Sequence, residues 1–101
     1  MKTKSIKIGL AQINPIVGNL ENNYNNIIDK INKASKENIQ LLLFPELAIC
    51  GYPPKDLLLD CKFCLKCIEY VNKIAEKTAY IKTNMIVVVG TPYYFFEKKN
   101  I

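Results

Sequence analysis

The sequence predicts an α/β fold built on a parallel sheet, and three features predict it. Apolar runs with strand character alternate along the chain with apolar stripes spaced by three and four. Each strand-like run stops at or next to a proline or a glycine, and half of the 101 residues are apolar, enough for a globular core. Strand, helix, strand, helix, strand is the order that right-handed crossovers join into one parallel layer.

The first element is a strand within residues 6–13, where Ile6, Ile8 and Leu10 share one side of a period-two pattern that Asn14-Pro15 ends. A helix follows from Leu20, because Leu20, Tyr24, Ile27, Ile28, Ile31 and Ala34 paint one stripe at helical spacing. Asn19 is placed as its N-cap, and Glu37-Asn38 as its end, since Asn tolerates the left-handed backbone that helix termini use. Residues 39–44 form a nearly continuous apolar run closed by Pro45, the pattern of a strand buried on both faces. Cys64, Ile68, Val71, Ile74 and Ala75 mark a second helix over about residues 61–79. Met85 to Val89, rich in β-branched residues, gives a third strand before Gly90. Tyr93 to Phe96 reads as a further partial strand entering the polar turn 97–100. No internal repeat or interdomain linker divides the chain.

Composition removes several classes of function. The net charge is +5, yet all 14 basic residues are lysines scattered from Lys2 to Lys99. Without arginine, the residue best suited to bidentate phosphate and guanine contacts, a solvated basic face is the reading, with no nucleic-acid partner. Histidine is absent, which rules out Ser-His, Cys-His and His-ligated zinc sites within the chain. No apolar run approaches the roughly 18–20 residues of a membrane span, so no membrane partner is expected and the chain reads as cytoplasmic.

The chemistry concentrates after the second strand. In a parallel sheet, ligands gather beyond the carboxyl ends of the strands, and Glu46 stands at such an end between Phe44, Pro45 and Leu47. A lone carboxylate shielded by apolar neighbours is a candidate general base. The residues alone leave a plainer role open, in which Glu46 caps a neighbouring helix or pairs with a lysine.

Phe44-Pro45-Glu46 resembles the catalytic-glutamate segment of the nitrilase, or carbon–nitrogen hydrolase, superfamily. Two stretches narrow the likeness to the glutaminase domain of glutamine-dependent NAD synthetases: 11–20, reading Ala-Gln-Ile-Asn-Pro-Ile-Val-Gly-Asn-Leu, and Gly51-Tyr52-Pro53-Pro54 with Asp56-Leu57-Leu58-Leu59 after it. The resemblance covers essentially the whole chain and departs at Lys55, where an acidic residue is common. It implies an α-β-β-α nitrilase-type sandwich, here incomplete, with residues 1–101 as the N-terminal portion of the glutaminase domain and the synthetase domain absent. Glutamine is the implied substrate, hydrolysed by a Glu-Lys-Cys mechanism in which Glu46 is the base. The Lys and the nucleophilic Cys are expected in later segments, so the chain alone is expected to be inactive. ATP and deamido-NAD would bind the absent synthetase domain, and no cofactor is implied for this segment. With the second sheet missing, an apolar sheet face is expected to stay open, in need of a complementing chain or a homo-oligomer. The alternatives are a non-catalytic truncated product or interaction fragment, and a part of another carbon–nitrogen hydrolase such as an amidase.

Cys61, Cys64 and Cys67 form a C-x2-C-x2-C run. Cluster-binding runs of that spacing adopt loops, whereas this one falls on the expected helix with no Gly or Pro nearby, so the thiols read as packing groups and no metal is expected. Cys50 reads the same way. Tyr52 is a candidate substrate contact, and nothing in the chain resembles an ATP site.

Overall fold

The computed structural model describes residues 4–81 and 84–93. Its elements run β1 (Ile8–Leu10), α1 (Leu20–Lys36), β2 (Leu41–Leu43), a 3₁₀ segment (Lys55–Leu59), α2 (Cys61–Tyr80) and β3 (Ile86–Val88). The strands are parallel in the order β1-β2-β3, in a register that aligns Gly9, Leu42 and Val87. The expected class and order are therefore borne out. The partial strand expected over 93–96 lies outside the described residues, apart from Tyr93, which is exposed and in no strand.

Each helix forms where its apolar stripe and its cap coincide. The Asn19 side chain accepts a hydrogen bond from the Asn22 amide at 3.1 Å and so opens α1. Lys33 and Lys36 occupy the last turn, where cations suit the helix dipole, and Asn38 takes the left-handed φ of 59° just beyond it. Asp60 opens α2 by accepting from the Lys62 amide at 2.9 Å. Leu20, Ile27, Ile31 and Ala34 of α1 and Cys67 and Ile74 of α2 share one core with Ile39, Leu42, Phe44 and Met85 of the sheet layer. Burying Ile27 and Ile31 completely contributes about 1.5–3 kcal/mol each before the entropy of ordering them. On the outer side, the Tyr24 and Tyr70 rings meet at 5.4 Å, and the Tyr70 hydroxyl donates to Glu21 at 2.6 Å.

Two expectations need correction. Ala75 is exposed; the buried line of α2 runs through Cys64, Cys67 and Ile74, and Ala75 stands about 80° around the helix from Cys67 and about 100° from Ile74. The central strand is not buried on both faces either. Leu42 points into the core, while Leu41 and Leu43 are only half-buried and their row neighbours Ile8, Leu10, Ile86 and Val88 are 48–73% exposed. Among the described residues both helices serve one face, and the other face is open and apolar.

Candidate active site

The exit of β2 is held from both sides. The Ala11 amide donates to the Leu43 carbonyl at 2.8 Å, and the Phe44 amide donates to the Val88 carbonyl at 3.0 Å. Pro45 has no amide to continue the ladder, and the chain breaks into a turn over Glu46 to Cys50. Leu47 adopts a φ of 57°, an uncommon state for a bulky residue that costs on the order of 1–3 kcal/mol and persists only where the surroundings enforce it.

Those surroundings are visible. The Gly51 amide donates to the Leu47 carbonyl at 2.8 Å and closes the turn, while the Gly18 amide donates to the Cys50 carbonyl at 2.9 Å. Gly51 itself has a φ of 83°, and a Cβ there would stand 2.8 Å from the Val17 backbone. Gly90, at the exit of β3, comes as close to the start of the turn: a Cβ there would stand 2.8 Å from the Leu47 nitrogen and 3.1 Å from the Glu46 Cα. Gly90 thus packs on the Glu46–Leu47 backbone at the carboxyl rim of the sheet, with Ala48, Ile49 and Cys50 fully buried.

The side chains are less enclosed than expected. Glu46 is exposed, and so is Tyr52, at 76%. The shield expected from Phe44 and Leu47 does not form over the carboxylate, because both turn into the core: Phe44 is buried in it and Leu47 packs against it. The structure brings Glu46 to the strand tip the sequence points to, but no described residue closes a niche around it.

Three of the four thiols are packing groups. Cys50 and Cys67 are fully buried and Cys64 nearly so, whereas Cys61 faces solvent, so the expected packing role does not extend to Cys61. Burial pushes the Cys50 thiol above its ordinary value and drives Cys67 up to about 12, with the neighbouring thiols adding to both. Such thiols stay protonated near neutral pH and are poor nucleophiles. Among the described residues no group of three or more His, Cys, Asp and Glu is arranged to hold a metal ion, and no helix is long and apolar enough to cross a membrane.

Sequence reasoning missed three contributors: Gly90, the left-handed Leu47, and Asn23. Only Asn23 left a signal. It stands in the stripe between Leu20 and Ile27, a polar residue where the spacing demands an apolar one.

Residues 7–96 match the carbon–nitrogen hydrolase family, and the chain belongs to that family. Within it, the chain is similar to glutamine-dependent NAD(+) synthetases. It is 39% identical over 94 residues to the one from Synechocystis sp., covering 91% of this chain and 16% of that protein. It is 48% identical over 56 residues to the one from Acinetobacter baylyi, covering 55% of this chain and 10% of that protein. The solved synthetase from Cytophaga hutchinsonii superposes with a TM-score of 0.82 at 36% identity, over 91% of this chain and 15% of that one. The family resemblance carried by the motifs is therefore borne out, and the chain spans about a sixth or less of the length of these relatives.

Proposed function

We propose that this chain supplies the general base of a glutamine-hydrolysing site, as the N-terminal portion of a glutaminase domain, and that Glu46 is that base. The observation carrying the reading is the strand-tip turn, in which a glutamate stands beside a left-handed Leu47, with Gly90 against the backbone of both and the 16–18 loop against the far end of the turn. Strain kept at one point by close packing is characteristic of positions where a side chain must be aimed.

In this reading Glu46 removes the proton from a cysteine thiol, and the thiolate attacks the glutamine carboxamide carbon. A lysine ammonium balances the charge developing on the carbonyl oxygen. Glu46 returns the proton to the amide nitrogen as the tetrahedral adduct collapses, so ammonia leaves and a thioester remains for water to cleave. The Lys and Cys of this mechanism lie outside the motifs matched here. Cys50 and Cys67 do not fill the role, because burial holds both thiols protonated. In this reading the chain alone does not turn over glutamine. ATP and deamido-NAD belong to a synthetase domain to which none of these residues contributes, and Tyr52 is a substrate contact only once further polypeptide covers it. Four free cysteines suit a reducing cytoplasm.

A second reading has a specific observation in its favour. The exposure of Glu46 fits a non-catalytic fragment that keeps the fold and no turnover.

One experiment separates the two. Residues 7–96 replace the superposing segment of the Cytophaga hutchinsonii enzyme, and NAD formation is measured with glutamine and with ammonia as nitrogen source. The first reading expects both activities, with Glu46→Gln abolishing the glutamine-driven one alone. Undiminished glutamine-driven turnover in that variant refutes it.

A further inference from the structure

Asn23 is 0% exposed, on the core side of α1, and is polar where Leu20, Ile27 and Ile31 are apolar. A buried amide is costly unless its groups are paired, and all of this one's partners are main-chain atoms of two different loops. Its Oδ1 accepts from the Ile16 amide at 2.7 Å. Its Nδ2 donates to the Ile16 carbonyl at 2.8 Å and to the Ile49 carbonyl at 2.8 Å. One side chain on a rigid helix thereby ties the 14–18 loop to the turn that begins at Glu46. The Gly18 to Cys50 hydrogen bond and the close approach of Gly51 to Val17 complete the seam.

We infer that Asn23 is a positioning residue for Glu46: by fixing the Ile49 carbonyl it locks the 46–50 turn, holds Leu47 in its left-handed state and so sets where the glutamate projects. The inference rests on the reading of Glu46 as the base, but its mechanical content can be measured apart from it. Ile49 is three residues from Glu46, and Gly51 closes the same turn by donating to Leu47, so a loose Ile49 carbonyl frees the turn at its far end. A filler of the core stripe needs no such set of partners, and an apolar side chain would serve it better.

The test uses the chain as it stands. Asn23→Asp keeps the volume and the acceptor for the Ile16 amide but removes both donors, and leaves a carboxyl facing two carbonyls. Residue-resolved hydrogen exchange should show Gly18 and Gly51 exchanging about tenfold faster or more, with α2 amides such as Ile74 unchanged. The left-handed NMR signature of Leu47, its α-carbon shift and amide coupling, should be lost, while that of Asn38, remote from the clamp, persists. A uniform acceleration across the chain, or an unchanged Leu47 signature, overturns the inference. On the unsubstituted chain, exchange under weakly denaturing urea should give Ile16, Gly18 and Gly51 one common opening with one urea dependence; separate openings overturn it too. Glu46→Gln should leave all of these signals in place. Failure of the base assignment therefore leaves the clamp standing, and loss of the clamp says nothing against the base.

Discussion

Gly90→Ala is a change of one methyl group that should reach the glutamate through the backbone. The added carbon would stand 2.8 Å from the Leu47 nitrogen and 3.1 Å from the Glu46 Cα, both main-chain atoms with no rotamer to escape into. Relaxing those contacts to about 3.5 Å moves one backbone against the other by about 0.4–0.7 Å. Overpacking of this kind costs about 1–3 kcal/mol, read as a lower urea midpoint of the chain at unchanged slope. For catalysis the displacement matters more, because a catalytic group tolerates about 0.5 Å and a misplacement of about 1 Å costs up to about 100-fold. In the Cytophaga hutchinsonii chimera, glutamine-driven kcat should therefore fall about tenfold with ammonia-driven synthesis unaffected. Gly9→Ala is the control: the nearest atoms to its Cβ belong to the Ile39 and Leu42 side chains, at 3.2–3.3 Å, and none is backbone. If Gly90→Ala is no more destabilising than Gly9→Ala and leaves glutamine-driven turnover intact, the wedge does not position Glu46.

Two further outcomes are expected. Cys67 has a thiol raised by burial from an ordinary 9.0 to about 12, so the stability it contributes is complete below pH 9 and is lost as pH rises towards 12. The urea midpoint should fall across that window, and fall less steeply in Cys67→Ala; equal slopes in the two proteins would contradict this. The open sheet face, with Leu10 at 73% and Ile86 at 64% exposure, should make the chain bind a dye that reports apolar surface and self-associate, with Ile86→Lys reducing both. A monodisperse monomer in the ultracentrifuge that binds no dye would show the face to be harmless.

What was legible in the sequence follows from what each pattern measures. Helix α1 was readable to its ends because periodicity, the Asn19 cap and the left-handed Asn38 agree with one another. The three strands were legible as apolar runs, but a run does not say which of its faces is covered; 39–44 looks doubly buried whether or not a second layer is present. The place of Glu46 at the sheet rim was legible because a strand-ending Phe-Pro-Glu fixes it. Its exposure was not, since whether Phe44 and Leu47 cover the carboxylate or enter the core depends on the turn, and the turn depends on a positive φ at a leucine that no propensity predicts. Gly90 looked like an ordinary strand exit, because close backbone approach is a tertiary fact. Asn23 is the instructive case: a polar residue in an apolar stripe was a readable exception, and it became meaningful only when its three partners were seen.

The claim on which most depends is that Glu46 reaches a thiol once its surroundings are complete. A crystal structure of the chimera with glutamine bound measures that separation. A Glu46 carboxylate oxygen should lie within roughly 2.6–3.2 Å of the nucleophilic sulfur, or one bridging water away. A carboxylate left in bulk solvent, with the sulfur served by another base, would contradict it.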